Sequence, residues 1–65
     1  MLQVLSNRIS EKFGTQAAFG LNVGWVPQKV YRMLNEEYEP KLSEAVKISS
    51  ALGISVDELA SFFEQ

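Results

Sequence analysis

Two glycines four residues apart, Gly20 and Gly24, sit among Phe19, Val23, Trp25, Val30 and Met33. This arrangement constrains the fold more than any other in the chain. Two helices that pack across a turn of three to four residues need a small residue where their backbones approach. They also need a glycine in the turn and buried apolar residues on both sides. Gly20 is the small residue and Gly24 supplies the turn. The stretch from Gln16 to Met33 therefore reads as a short helix, a glycine turn and a second helix.

The rest of the chain keeps the helical period. Leu2, Leu5, Ile9 and Phe13 form one stripe on a helix from about Leu2 to Phe13, which Gly14 ends. Thr15 is the N-cap of the second helix, and Asn22-Val23-Gly24 breaks it. A third helix starts near Pro27, because proline suits the first helical position, and continues to Leu34 or Asn35. Val30, Met33 and Leu34 make its inner face. Asn35 to Pro40 has no periodic pattern and reads as a loop. A fourth helix runs from about Lys41 to Leu52, with Leu42, Ala45, Val46, Ile48, Ser49 and Leu52 mainly inward and Glu44 paired with Lys47 outside. Ser55-Val56-Asp57-Glu58 is a capping box that opens a fifth helix: Ser55 caps, Glu58 reaches back, and Ile54 and Leu59 form the hydrophobic staple. Val56, Leu59, Ala60 and Phe63 face the core. Phe62 lies off that stripe, as a fraying terminus or as a dimer contact. No segment alternates as a strand does. The expected fold is all-α: a compact five-helix arrangement in which residues 1–65 make one domain, with the helix-turn-helix at about 16–34.

Composition narrows the chemistry. The chain has 65 residues, no cysteine and no histidine. Disulfides and thiolate metal sites are excluded, and so is the commonest general base. No nucleophile–base pair is identifiable and a chain this short builds little pocket, so the reading is a binding module, not an enzyme, with no cofactor and no metal. The longest apolar run is far too short to span a membrane. Met1-Leu2-Gln3 opens without the basic and apolar regions of a secretory signal, so a cytoplasmic location is expected.

The net charge of −2 hides an asymmetry. Residues 1–35 carry Arg8, Lys12, Lys29 and Arg32 against Glu11, a net +3. Residues 36–65 carry Lys41 and Lys47 against Glu36, Glu37, Glu39, Glu44, Asp57, Glu58 and Glu64, a net −5. A whole-domain basic patch, the usual footprint of a nucleic-acid binder, is missing, so any attraction to phosphate is local.

Thr15-Gln16-Ala17-Ala18, Gly24, Asn35, Pro40 and the run Ser50-Ala51-Leu52-Gly53-Ile54-Ser55-Val56-Asp57-Glu58-Leu59 resemble the repressor/Cro-type helix-turn-helix family of phage and bacterial transcriptional regulators. The resemblance extends from about Leu5 to Phe63. It implies a lambda-repressor-like DNA-binding domain whose third helix enters the major groove of an operator, bound as a homodimer. By the same resemblance Gln16 contacts phosphate from the start of the second helix, a placement that suits a helix N-terminus. Pro27, Gln28 and Arg32 occupy base-reading positions, where Gln28 can address adenine and Arg32 guanine. Lys29 reaches a phosphate, and Asn35 orders the following loop and touches the DNA backbone. Phe62 and Phe63 are the candidate dimer contact.

Several residues depart from the family pattern. Gly20 stands for the usual alanine. Trp25 and Val26 replace small or hydroxyl residues, so the third helix lacks a good N-cap. Trp25 is either core, a lid over the turn, or a DNA wedge; Tyr31 and Tyr38 either contact the backbone or pack. Glu36, Glu37 and Glu39 fall where the family often has glycine and basic residues near DNA. Two functions follow. One is a sequence-specific repressor of phage or mobile-element type. The other is a protein-interaction module on the same fold, an antirepressor or the partner of another regulator, that meets its protein partner through Glu36, Glu37 and Glu39.

Overall fold

Local signals place each helix, and one shared core holds them. The computed structural model describes residues 1–64. It contains α1 (Gln3–Phe13), α2 (Gln16–Val23), α3 (Pro27–Leu34), α4 (Leu42–Leu52) and α5 (Val56–Ser61), with no strand among the described residues. The five helices wrap into a body of 24 × 22 × 21 Å. The all-α reading therefore holds.

The core gathers one stripe from each helix. Leu5 and Ile9 come from α1, Phe19 and Val23 from α2, Val30, Met33 and Leu34 from α3, Ile48 and Leu52 from α4, and Leu59 from α5. Leu2 is buried too, one residue before α1, and its N–H donates to the Leu34 carbonyl at 2.7 Å. That bond ties the start of the chain to the end of α3. Phe13 meets Phe19 edge-to-face at 5.4 Å between ring centroids. Each fully buried aliphatic or aromatic side chain contributes about 1.5–3 kcal/mol, which offsets the ordering entropy of so short a chain.

Three inward assignments from the helical period fail. Leu42 and Val46 are 75% and 50% exposed, and Ala60 is exposed. The α4 stripe that meets the core is Ile48, Ser49 and Leu52, with Ala45 packed against it, and Leu42 and Val46 lie to one side of that stripe. Ser49 is tolerated inside because its hydroxyl donates to the Val46 carbonyl at 2.9 Å. Phe63 packs against the core as expected, and Phe62 joins the core instead of lying off the stripe. α5 stops at Ser61, so Phe62 and Phe63 lie in the closing turn and the helical phase does not carry through them. Phe62 is buried, with the Arg8 guanidinium 6.0 Å above its ring, and Phe63 is half-buried.

The capping box of α5 is half made. Ser55 Oγ accepts from the Glu58 N–H at 3.0 Å, while the Glu58 carboxylate takes the Arg8 guanidinium at 3.1 Å in place of the cap backbone. That exposed pair is worth under about 1 kcal/mol.

Candidate nucleic-acid interface

The α2–turn–α3 unit begins at Thr15, whose side-chain oxygen accepts from the Ala18 N–H at 3.1 Å. Gln16 opens the helix and is half-buried. The helix runs through Asn22 and Val23 and stops at Gly24, so the break falls two residues later than the Asn22-Val23-Gly24 signal suggests. Only Gly24 takes a left-handed conformation (φ +78°), and that single residue is enough to end the helix. The connection is then Gly24-Trp25-Val26. The Trp25 N–H donates to the Gly20 carbonyl at 2.7 Å, which pulls the turn against α2.

Gly20 is buried at this contact. A β-carbon there would lie 2.6 Å from the Trp25 carbonyl oxygen and 3.4 Å from Val30 Cγ2. The helix-weakening glycine is therefore the residue that lets the turn close. Trp25 is 9% exposed, packed as core and lid.

Val26 precedes α3 in an extended conformation with no side-chain cap, and Pro27 is its first residue. Proline has no N–H, so one of the unpaired donors of the first turn is absent. Val30, Met33 and Leu34 are fully buried, which leaves Gln28, Tyr31 and Arg32 on the exposed side. Gln28 and Arg32 flank a shallow cleft of about 220 Å³ that Val26, Lys29 and Tyr38 complete. Pro27, Gln28 and Arg32 thus lie exposed along one helix.

Lys29, the expected phosphate contact, is engaged within the fold. Its ammonium sits 2.7 Å from Glu44 Oε2, 4.4 Å from the Trp25 ring centroid and 5.0 Å from that of Tyr38. The Tyr38 hydroxyl donates to Glu44 Oε1 at 2.6 Å, and the Lys41 N–H donates to the same oxygen at 2.9 Å. Trp25 and Tyr38 pack edge-to-face at 5.9 Å. One carboxylate therefore holds α3, the loop and the start of α4 together. The Lys29 hydrogen bond, then those from Tyr38 and Lys41, hold the Glu44 carboxyl down to about 2. The bond to Glu44 in turn raises the Lys29 ammonium and the Tyr38 phenol above their usual values. Glu44 was expected to pair with Lys47; Lys29, fifteen residues back, takes it instead, a pairing that no helical spacing reveals.

The acidic loop turns sharply off α3. Asn35 uses its side-chain amide on the Tyr31 carbonyl at 3.1 Å, closing the helix end. Glu36 adopts φ +62°, its N–H donates to the Met33 carbonyl, and the Glu37 N–H donates to that of Arg32 at 2.8 Å. These two bonds make a Schellman motif with glutamate at the position glycine usually takes. Glu36 and Glu37 are exposed at the end of α3.

Among the described residues the ion pairs are Arg8–Glu58 and Lys29–Glu44. Of the basic groups in the first half, Lys12 and Arg32 have no carboxylate partner among the described residues, and of these two Arg32 belongs to α3. The candidate dimer contact is also altered: Phe62 is 9% exposed and has little surface to offer a second copy, while Phe63 keeps some. No described helix is long and apolar enough to cross a membrane. No family model, curated protein or solved structure matches the chain.

Proposed function

We propose that the chain is a sequence-specific DNA-binding transcriptional regulator that places α3 in the major groove. One observation carries this reading: α2 and α3 are locked across a three-residue turn by the Gly20–Trp25 approach, with Gln28 and Arg32 side by side on the exposed face of α3. A helix held at a fixed angle with its polar side chains outward is what groove reading requires. Gln28 is the first α3 side chain able to address a base edge, and Arg32, one turn on, suits the paired acceptors of guanine. Pro27 sets the start of the helix against the groove floor. Gln16 and Asn35 flank it toward the phosphates. Lys29 serves as a phosphate contact only by exchanging Glu44 for DNA. The resemblance to repressor/Cro-type regulators supports the same reading and adds operator occupancy by a homodimer, in the manner of a phage or mobile-element repressor.

A second reading has its own support. Glu44 neutralises Lys29, and Glu36, Glu37 and Glu39 crowd the end of α3. Both features suit a partner that is a protein. Selection from a random-sequence duplex pool with the full chain, followed by mobility shift on the enriched sites, separates the two. Enrichment of a partly symmetric site, with affinity that falls as salt rises, supports the regulator. Failure to enrich any motif at low salt places the protein-interaction reading first.

A further inference from the structure

α4, α5 and the loop before α4 enclose a groove of about 240 Å³ on the acidic half of the molecule. Its floor is apolar: Pro40, Ala45, Val56, Leu59, Ala60 and Phe63. Glu39 and Glu64 stand on its rim. A second cleft of about 190 Å³ shares Glu39 and Phe63 with it and adds Glu36 and Tyr38. Neither is lined by a lysine or arginine, and among the described residues none of Glu36, Glu39 and Glu64 has a cationic partner.

We propose that this groove docks a basic amphipathic segment of another protein, its apolar side chains on the Leu59–Phe63 floor and its lysines or arginines against Glu36, Glu39 and Glu64. The occupant follows from charge. DNA is excluded by the carboxylates. A second copy related by a two-fold axis would bring one acidic rim against the other, and like charges juxtaposed in an interface disfavour association. A cationic helix with an apolar stripe satisfies floor and rim together, the helix-in-groove mode of recognition. The site is also preformed. Tyr38, which lines the smaller cleft, is fixed by its hydrogen bond to Glu44, and Ser55 caps the helix that carries Val56, Leu59 and Ala60. A preformed groove saves ordering cost on binding. This inference does not rest on DNA binding, since the groove uses no side chain of α3.

The test uses the full chain, isotopically labelled for nuclear magnetic resonance. The probe is a synthetic leucine–lysine peptide with its leucines on one helical face. A scrambled peptide of the same composition is the control. The expected result is a weak complex with amide shifts confined to Glu36–Glu39, Lys41–Ala45 and Val56–Glu64. The doubly reversed variant Glu39→Lys/Glu64→Lys weakens it on the order of tenfold or more. Ala60→Arg, a change at an exposed position that fills the groove, abolishes it while leaving the melting temperature unchanged. Equal binding of the scrambled peptide, or shifts that spread to the acidic Glu11 on α1 and its neighbours, overturns the proposal. So does unchanged binding by Ala60→Arg. Self-association of the wild-type chain that Ala60→Arg removes, seen by sedimentation, assigns the groove to a second copy and overturns it equally.

Discussion

The carbonyl oxygen of Trp25 lies 2.6 Å from the place where a β-carbon on Gly20 would stand. Real β-carbons do not approach backbone oxygen so closely, so Gly20→Ala forces the turn away from α2. Two effects oppose each other. Alanine improves helix propensity by about 1 kcal/mol, while overpacking against an atom that cannot rotate aside costs about 1–3 kcal/mol. The second wins, because the obstacle is backbone held by the Trp25–Gly20 hydrogen bond. Gly20→Ala is expected to lower stability by up to about 2 kcal/mol, at roughly 4–8 °C in Tm per kcal/mol for a domain this size. A variant that melts at or above wild type shows that the helices are not in that contact.

Glu36 presents the opposite case. Its φ of +62° suits glycine, yet a glutamate occupies it. A non-glycine residue in the left-handed region costs about 1–2 kcal/mol, part of which glycine returns as unfolded-state entropy. Glu36→Gly should therefore stabilise the chain by up to about 1 kcal/mol, and Glu36→Asn by somewhat less. Chemical denaturation measures both. A loss of stability in Glu36→Gly would mean that the glutamate side chain makes a contact outweighing its backbone cost.

How much of this was legible follows from what periodicity can carry. The five helices, the Thr15 and Ser55 caps and the Gly24 turn were readable because each signal is confined to neighbouring residues. Gly20 was readable as the small residue, but its alanine-like position in the resemblance hid that only glycine fits beside Trp25. The Lys29–Glu44–Tyr38 cluster was not legible. Its members lie on three different segments, and no local pattern tells a lysine on an amphipathic helix whether it will face solvent or a distant carboxylate. Phe62 was misassigned for a related reason: helical phase was extended past Ser61, where the helix has already ended. Leu42 and Val46 show the converse limit, apolar residues counted as inward that lie to one side of the Ala45–Ile48–Ser49–Leu52 face.

Stability should respond to pH through Glu44. Its folded pKa of about 2 lies below the ordinary 4.5, chiefly through the Lys29 hydrogen bond. A carboxyl with a depressed folded pKa stabilises the fold fully above its unfolded value and loses that contribution as pH falls toward the folded one. Lys29 and Tyr38 are raised, so their contributions are complete below about 10 and fade as pH climbs through their folded values. The Tm difference between wild type and Glu44→Gln is expected to be widest between about pH 5 and 9 and to narrow steadily from pH 4.5 to pH 2. Paired thermal melts across that range check it. A difference as large at pH 2.5 as at pH 7 removes Glu44 as the titrating group.

Arg32 and Lys29 lie three residues apart on α3 and should separate cleanly when each is changed to alanine. Arg32 is exposed and has no carboxylate partner among the described residues. Arg32→Ala should leave the melting curve unchanged, cost about 1–3 kcal/mol in operator binding, and relax preference at one base pair. Lys29→Ala should do the reverse. It strips Glu44 of its cation and Trp25 and Tyr38 of the charge packed on their rings, so Tm falls. Because Glu44 already neutralises Lys29, its loss should change the slope of log affinity against log salt by well under the one unit or so that a free phosphate-binding lysine contributes. Adding Glu44→Gln to Lys29→Ala should recover part of the lost stability, since the carboxylate is then no longer left without its cation. Competition with operator variants, read beside melting curves at two salt concentrations, measures every arm. A full unit of slope lost in Lys29→Ala, with Tm unchanged, would mean that Lys29 leaves Glu44 for phosphate at no cost and that the clamp does not hold α3.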